Sequence, residues 1–344
     1  MQPNPHPNAN LTYAVKLVQS ICCLAGSASY LDDIRTDLRG SGIIRAVRDH
    51  DTRALFNWLV EMLSFQGISD SVAAGFMAHH GNVRWSEIAE ALSQTPSCPK
   101  LRGYWRFYDC QYQKEADTCS EPSHFAACPL PSHPLRNGRL NQMAYSLFFF
   151  MRDVADDDFV GWIDRQLAAV DPQSPDRLAT VREALTGPLR SVFGVADKVL
   201  AMTLSSLLLA AGNRRRPLWL EVGGTFVAVD TLVHNFLHRT GILQRLGADH
   251  LYGVKCYQPG GCAGILGLLA AQIDARQFNP AFPATFPRFV QSAIWRYCAG
   301  NGLDICNGNR IDDDTRCDNT HCQLFRRCDR VTLRAETAKI AVFQ

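Results

Sequence analysis

Phe193-Gly194-Val195-Ala196-Asp197-Lys198-Val199-Leu200 opens one apolar segment, and Phe226-Val227-Ala228-Val229-Asp230-Thr231-Leu232-Val233-His234 opens another. In the first, a turn glycine stands four residues before a lysine. Val199, Leu200, Met202, Thr203, Leu204, Leu207 and Leu208 then recur at mostly helical spacing. Lys198 is therefore expected in the first turn of a buried helix. In the second, a short β-branched run stops at Asp230, and Leu232, Val233, Phe236 and Leu237 repeat with a helical period. The carboxylate is expected at or beside an N-cap, where unpaired backbone N–H groups and the helix dipole stabilise negative charge.

The rest of the chain reads as helical on both sides of this stretch. Leu17, Val18 and Ile21, then Leu31, Ile34 and Leu38, mark early helices, with Cys22 and Cys23 expected as buried thiols in an apolar stripe. Segments 143–152 and 159–170 are apolar on one face, Asp156-Asp157-Asp158 reads as a solvated turn and helix start, and 289–297 reads as a further helix. Asp171-Pro172-Gln173-Ser174-Pro175 is a linker. Gly260-Gly261-Cys262-Ala263-Gly264 follows no clear strand and makes a poor phosphate loop. Arg214, Arg215 and Arg216 lie in the loop between the two opening segments, as phosphate contacts or as a solvated turn.

With 344 residues and 47% hydrophobic content, the chain can bury a large core as one or two domains. A formal charge of +2 makes any nucleic-acid face a matter of local clustering. No apolar run reaches the roughly 18 to 20 residues of a membrane span. The N-terminal residues Met1-Gln2-Pro3-Asn4-Pro5 carry no signal-peptide pattern, so a cytoplasmic, nucleoid-associated location is expected. Thirteen cysteines, an odd number in two main groups, favour metal ligation over a disulfide framework. Cys98, Cys110, Cys119 and Cys128, separated by eleven, eight and eight residues, suggest a metal in a segment with little core of its own; its identity is open, Zn²⁺ being one choice, and His124 and His133 are alternative ligands.

The order of these features resembles the helix-hairpin-helix DNA glycosylases, in particular endonuclease III and its adenine-glycosylase relatives. Their G-V-G-x-K-T-A hairpin compares with Gly194-Val195-Ala196-Asp197-Lys198, and their V-D-T-H with Val229-Asp230-Thr231-Leu232. Leu63-Ser64-Phe65-Gln66 resembles their L-S-x-Q, and Glu61 stands where adenine glycosylases carry a catalytic acid. A solvated helix face is the equal alternative for Glu61. Cys306, Cys317, Cys322 and Cys328 follow the last core helix with gaps of ten, four and five residues, against C-x6-C-x2-C-x5-C in the family. Cys298 is a reserve ligand. Ala196 replaces the second hairpin glycine, and Lys198 and Asp230 lie 32 positions apart, farther than in the family, because Asn213-Arg214-Arg215-Arg216-Pro217 and the following residues look inserted.

The resemblance implies an all-α, two-lobed fold with a cysteine-rich insertion and a C-terminal iron–sulfur loop. Its parts would be an N-terminal tail and helices (1–50), a helical core (51–97 and 135–245), the insertion (98–134), C-terminal helices with the cluster loop (246–330) and a tail (331–344). It implies a DNA glycosylase that flips a damaged or modified base of double-stranded DNA into an interlobe cleft, with AP lyase activity. Lys198 would be the Schiff-base nucleophile, Asp230 the carboxylate facing the sugar, and Glu61 an acid. Gln66, Gly194, Ala196, Arg214, Arg215 and Arg216 would contact DNA, Gln66 by filling the gap left by the base. Cys306, Cys317, Cys322 and Cys328 would hold a [4Fe–4S] cluster, zinc or no metal being the alternatives that the longer first two gaps leave open. The insertion suggests a bulky or hypermodified base. The alternative is a catalytically inactive DNA-binding or redox-sensing protein of the same fold.

Overall fold

The computed structural model describes residues 7–64, 70–93, 98–112, 139–174, 176–213 and 215–333. Among them the chain is all-α: helices dominate and no strand occurs. Gln66, Arg214, Cys119, Cys128, His124 and His133 lie outside the described residues. In chain order the helices are α1 (Pro7–Ala25), α2 (Tyr30–Gly40), α3 (Ile43–Asp49), α4 (Thr52–Ser64), α5 (Asp70–His80), α6 (Trp85–Ser93) and α7 (Tyr104–Phe107). They continue as α8 (Arg139–Phe149), α9 (Phe159–Ala168), α10 (Arg177–Leu189), α11 (Asp197–Ala211), α12 (Pro217–Thr225), α13 (Thr231–Arg239), α14 (Ile242–Arg245), α15 (Cys262–Ala270) and α16 (Pro287–Cys298). No single described helix is long and apolar enough to cross a membrane.

The chain forms two compact units, one of residues 1–34 and 212–344, the other of residues 35–211. In the first, α16 is the shared partner, packing against α1, α12, α13 and α15. Its sequence explains this: Phe289, Val290, Ala293, Ile294 and Tyr297 recur every three or four residues and are all buried. Phe278, Phe282 and Phe286 from the preceding coil meet Phe289 at tilted angles, at ring separations of 5.1 to 6.0 Å. In the second unit α4 has the same role towards α3, α6, α8, α9 and α11.

Three local features depart from a plain helical reading. The segment after Asn213 is not only a loop: Pro217 sits at the first turn of α12, where its missing N–H costs nothing. A π-helical turn at Phe150–Val154 continues α8. Cys22 is buried as expected, but Cys23 is exposed, because adjacent positions on a helix point about 100° apart and only one can face the core.

The acidic triplet before α9 is a capped turn. Asp156 and Asp157 take φ of 53° and 57°, a left-handed backbone that aspartate tolerates. The Asp158 carboxylate accepts from the Gly161 N–H and meets His50 Nδ1, both at 2.8 Å. Burial pushes the Asp158 carboxyl upward, but the Gly161 N–H and His50 together hold it below the ordinary value. Asp158→Ala is expected to cost about 1 kcal/mol in denaturant unfolding at neutral pH. Because the folded value is depressed, the charge-dependent part is complete above the unfolded value of about 3.9 and is lost as pH falls through the folded value. The gap between wild type and variant should therefore narrow below about pH 4; a constant gap would refute the assignment.

Candidate functional site

Asp230 is the N-cap of α13, as its sequence context implies. Its backbone is extended, at φ −108° and ψ −177°, and Oδ1 accepts from the Val233 N–H at 2.9 Å. The residue before it is clamped: the Tyr257 phenol oxygen accepts from the Val229 N–H at 2.8 Å, and its hydroxyl lies 3.2 Å from the Val229 carbonyl oxygen. Phe226, Val227, Ala228 and Val229 are buried, so the apolar run anchors the cap while the half-buried carboxylate stays accessible. The Tyr252 phenol is pushed upward, chiefly by burial and then by the negative charge of Asp230.

One turn beyond Asp230, α13 carries His234, which is 5% exposed. His234, His250, Cys256 and Cys262 each offer one ligand atom, and these atoms lie within 4.8 Å of one another. His234 Nδ1 is 3.3 Å from Cys262 Sγ and 3.6 Å from Cys256 Sγ, and His250 Nε2 is 3.4 Å from Cys262 Sγ. Cys256 lies at the Val254–Tyr257 turn and Cys262 begins α15. These four residues can hold a metal ion. A cavity of about 550 Å³ opens beside them, its lining including His250, Lys255, Gly260 and Leu268.

The other end of α13 meets the C-terminal cysteines. Cys306, Cys317, Cys322 and Cys328 line one small cavity together with Phe236, Arg239, Tyr297, Leu324 and Arg330. The Tyr297 hydroxyl is 3.1 Å from Cys322 Sγ, and the Arg330 N–H donates to Cys328 Sγ at 3.4 Å. Arg239 pairs with Asp313, and its buried Nη1, like Nε of Arg330, has no hydrogen-bond partner among the described protein atoms. Four thiols, apolar walls and two unsatisfied guanidinium donors suit an anionic sulfur-rich group. Cys298 is fully buried beside Cys306, which the Cys298 thiol and then the Arg239 charge pull below the ordinary thiol value.

The second unit carries the remaining candidates. Gly194 is exposed with φ +72°, a left-handed turn that opens towards α11 with nothing within 4 Å of where a Cβ would project. Ala196 is exposed, and Lys198 is half-buried in the first turn of α11. Its neighbour Asp197 is engaged by Arg190 at 2.7 Å. Glu61 is exposed on α4. Cys98 and Cys110 are buried; Tyr104 and Phe107 pack against α8 and the π-helical turn, Tyr104 on Phe150 and Phe107 on Phe149. In the first unit, Arg215 is exposed, whereas Arg216 lies over the Trp219 ring at 4.9 Å.

Comparison of the chain with protein-family models, with curated proteins and with solved structures returns no match in any of the three. The His/Cys centre was not anticipated from the sequence. Its signal was two cysteines outside the main groups with five residues between them, five more between His250 and the first, and fifteen between His234 and His250. The clamp on Val229 gives a direct prediction. Tyr257→Phe leaves a buried N–H unpaired and should lower unfolding free energy by about 1 to 3 kcal/mol; an unchanged denaturation midpoint would contradict it.

Proposed function

We propose that the chain is a DNA glycosylase with associated lyase chemistry, acting on a damaged or modified base flipped out of double-stranded DNA. The observation that carries this reading is Asp230, an accessible carboxylate held at an N-cap by the Val233 N–H and by a clamped, buried run before it. A carboxylate fixed in that way suits a sugar that gains positive charge as its N-glycosidic bond breaks. The exposed left-handed turn at Gly194, leading into the helix that carries Lys198, supports a hairpin that meets a phosphate.

The departing base takes the glycosidic electron pair and a proton, while the Lys198 amine nitrogen forms a bond to C1′. Loss of a proton from nitrogen and opening of the sugar ring give a Schiff base. Removal of a C2′ proton then breaks the C3′–O bond, and water releases the lysine. Asp230 offsets the charge at the sugar in the first step. Where water attacks C1′ instead, the products are free base and an intact abasic site. Arg215 is available for sequence-independent phosphate contact.

In this reading the C-terminal cysteines would hold a [4Fe–4S] cluster, supported by their convergence and by the unsatisfied donors of Arg239 and Arg330. Such a cluster would supply order to the 306–330 loop. Purification under anaerobic conditions should give about four iron atoms per chain, lost in Cys317→Ser; iron-free protein that folds fully after anaerobic reconstitution would refute the cluster.

Borohydride trapping on duplexes bearing damaged and modified bases tests the chemistry. A covalent adduct is expected with the intact protein and not with Lys198→Ala. Asp230→Asn keeps a residue that caps a helix as well as aspartate does and should slow base release by about 10²-fold or more. Alkali-labile sites without an adduct assign attack to water and overturn the lysine role. No adduct and no alkali-labile site on any duplex overturn the enzymatic reading in favour of a DNA-binding protein without chemistry.

A further inference from the structure

We propose that His234, His250, Cys256 and Cys262 bind one zinc ion as a closed structural centre that pins the 247–262 loop to α13, directly behind Asp230. The inference stands apart from the glycosylase reading. With zinc–sulfur bonds of about 2.3 Å and zinc–nitrogen bonds of about 2.0 to 2.1 Å, the sulfur–nitrogen edges of a tetrahedron measure about 3.5 Å. The three such edges given by the structure are 3.3, 3.4 and 3.6 Å. All four ligand atoms lie within 4.8 Å of one another, a spacing for a single ion rather than for a two-iron cluster with two ligands on each metal.

The hydrogen-bond geometry of both histidines also suits metal ligation. His250 Nδ1 lies 2.7 Å from the Ala248 carbonyl oxygen, which can only accept, so Nδ1 carries the proton. Nε2, the atom facing Cys262, is then the ring nitrogen left to face a metal. A backbone carbonyl behind a histidine is the usual outer partner of a metal ligand, because it fixes the tautomer and the ring orientation. His234 Nδ1 faces both sulfurs at once; a single N–H serves that geometry poorly, and an ion between the three atoms serves it well.

Between Gln244 and Gly260 the one buried residue is Cys256. Leu251 and Val254 are 88% and 75% exposed, so apolar burial does not hold this segment down. A Cβ at Gly261 would collide with the backbone of Lys255 and Cys256, which shows how tightly the chain is folded back between the two cysteines. Metal ligation supplies the missing folding energy. With four protein ligands and no open position, the ion is structural rather than catalytic. Its place is consequential, because the loop it ties down carries Tyr257, the clamp on Val229, and Tyr252, whose ring lies 5.7 Å from that of His234.

Metal analysis of the full chain, purified anaerobically from zinc-replete cells, tests the proposal. About one zinc per chain is expected. Cys256→Ser/Cys262→Ser should lower zinc at least about fivefold with iron unchanged, and should lower Tm by more than about 5 °C. If the variant does not fold, cobalt(II) added to chelator-stripped wild-type protein decides the matter. A tetrahedral visible spectrum with thiolate charge-transfer bands supports the site, and an octahedral or absent spectrum overturns it. Wild-type protein without zinc after incubation with zinc salt, zinc lost only when Cys98 or Cys110 is changed, or a Cys256–Cys262 disulfide found by mass spectrometry would each overturn it.

Discussion

The Val233 N–H donates to Asp230 Oδ1 at 2.9 Å, and this bond fixes where α13 begins. The helical phase then follows from 3.6 residues per turn. His234 falls one turn beyond the carboxylate, and Phe236, Arg239 and Thr240 fall at the far end, where they line the cavity of the C-terminal cysteines. A cap shifted by one residue would rotate every one of these side chains by about 100°. Thus a single charge-assisted hydrogen bond, reinforced by the Tyr257 clamp on Val229, sets the registration of the carboxylate, the His/Cys centre and the cysteine cavity on one short helix.

Nine residues of helix cannot stand alone in water. α13 is held from below by α16, through Phe236 against Tyr297, with ring centroids 6.3 Å apart. It is held at its C-terminal end by the chain after the cysteines: the Val331 N–H donates to the Arg239 carbonyl at 2.8 Å, and Arg245 pairs with both carboxylate oxygens of Asp329 at 2.6 and 2.8 Å. The two long loops on either side of it, 246–261 and 299–333, contain little helix. Cysteine and histidine side chains take the place there that phenylalanine, valine and isoleucine take in α16. This accounts for the cysteines of these two loops in a chain with a sizeable apolar core elsewhere.

Much of this was legible in the sequence, and the physical reasons for the rest are specific. The cap at Asp230 and the turn at Gly194 are local events, governed by residues within four positions, so spacing alone locates them. The early helices, α9 and α16 announce themselves by periodic apolar residues. The π-helical turn at Phe150–Val154 is invisible to a 3.6-residue period, because it arises by slipping that period. The helix α12 was obscured by Gly223 and Gly224, which weaken helix propensity, although Pro217 at its first turn was a fair signal. The His/Cys centre escaped because its ligands come from a helix, a loop, a 3₁₀ turn and a helix start, separated by fifteen, five and five residues. No local rule brings such positions together; the fold does.

Anomalous diffraction from crystals of the anaerobically purified protein, recorded at the zinc and iron absorption edges, tests most directly the claim that α13 joins a mononuclear centre to a cysteine cluster. The account predicts one zinc peak among His234, His250, Cys256 and Cys262, and iron density among Cys306, Cys317, Cys322 and Cys328. It would be contradicted by zinc among the C-terminal cysteines with no anomalous density at His234, or by neither metal at either end of the helix.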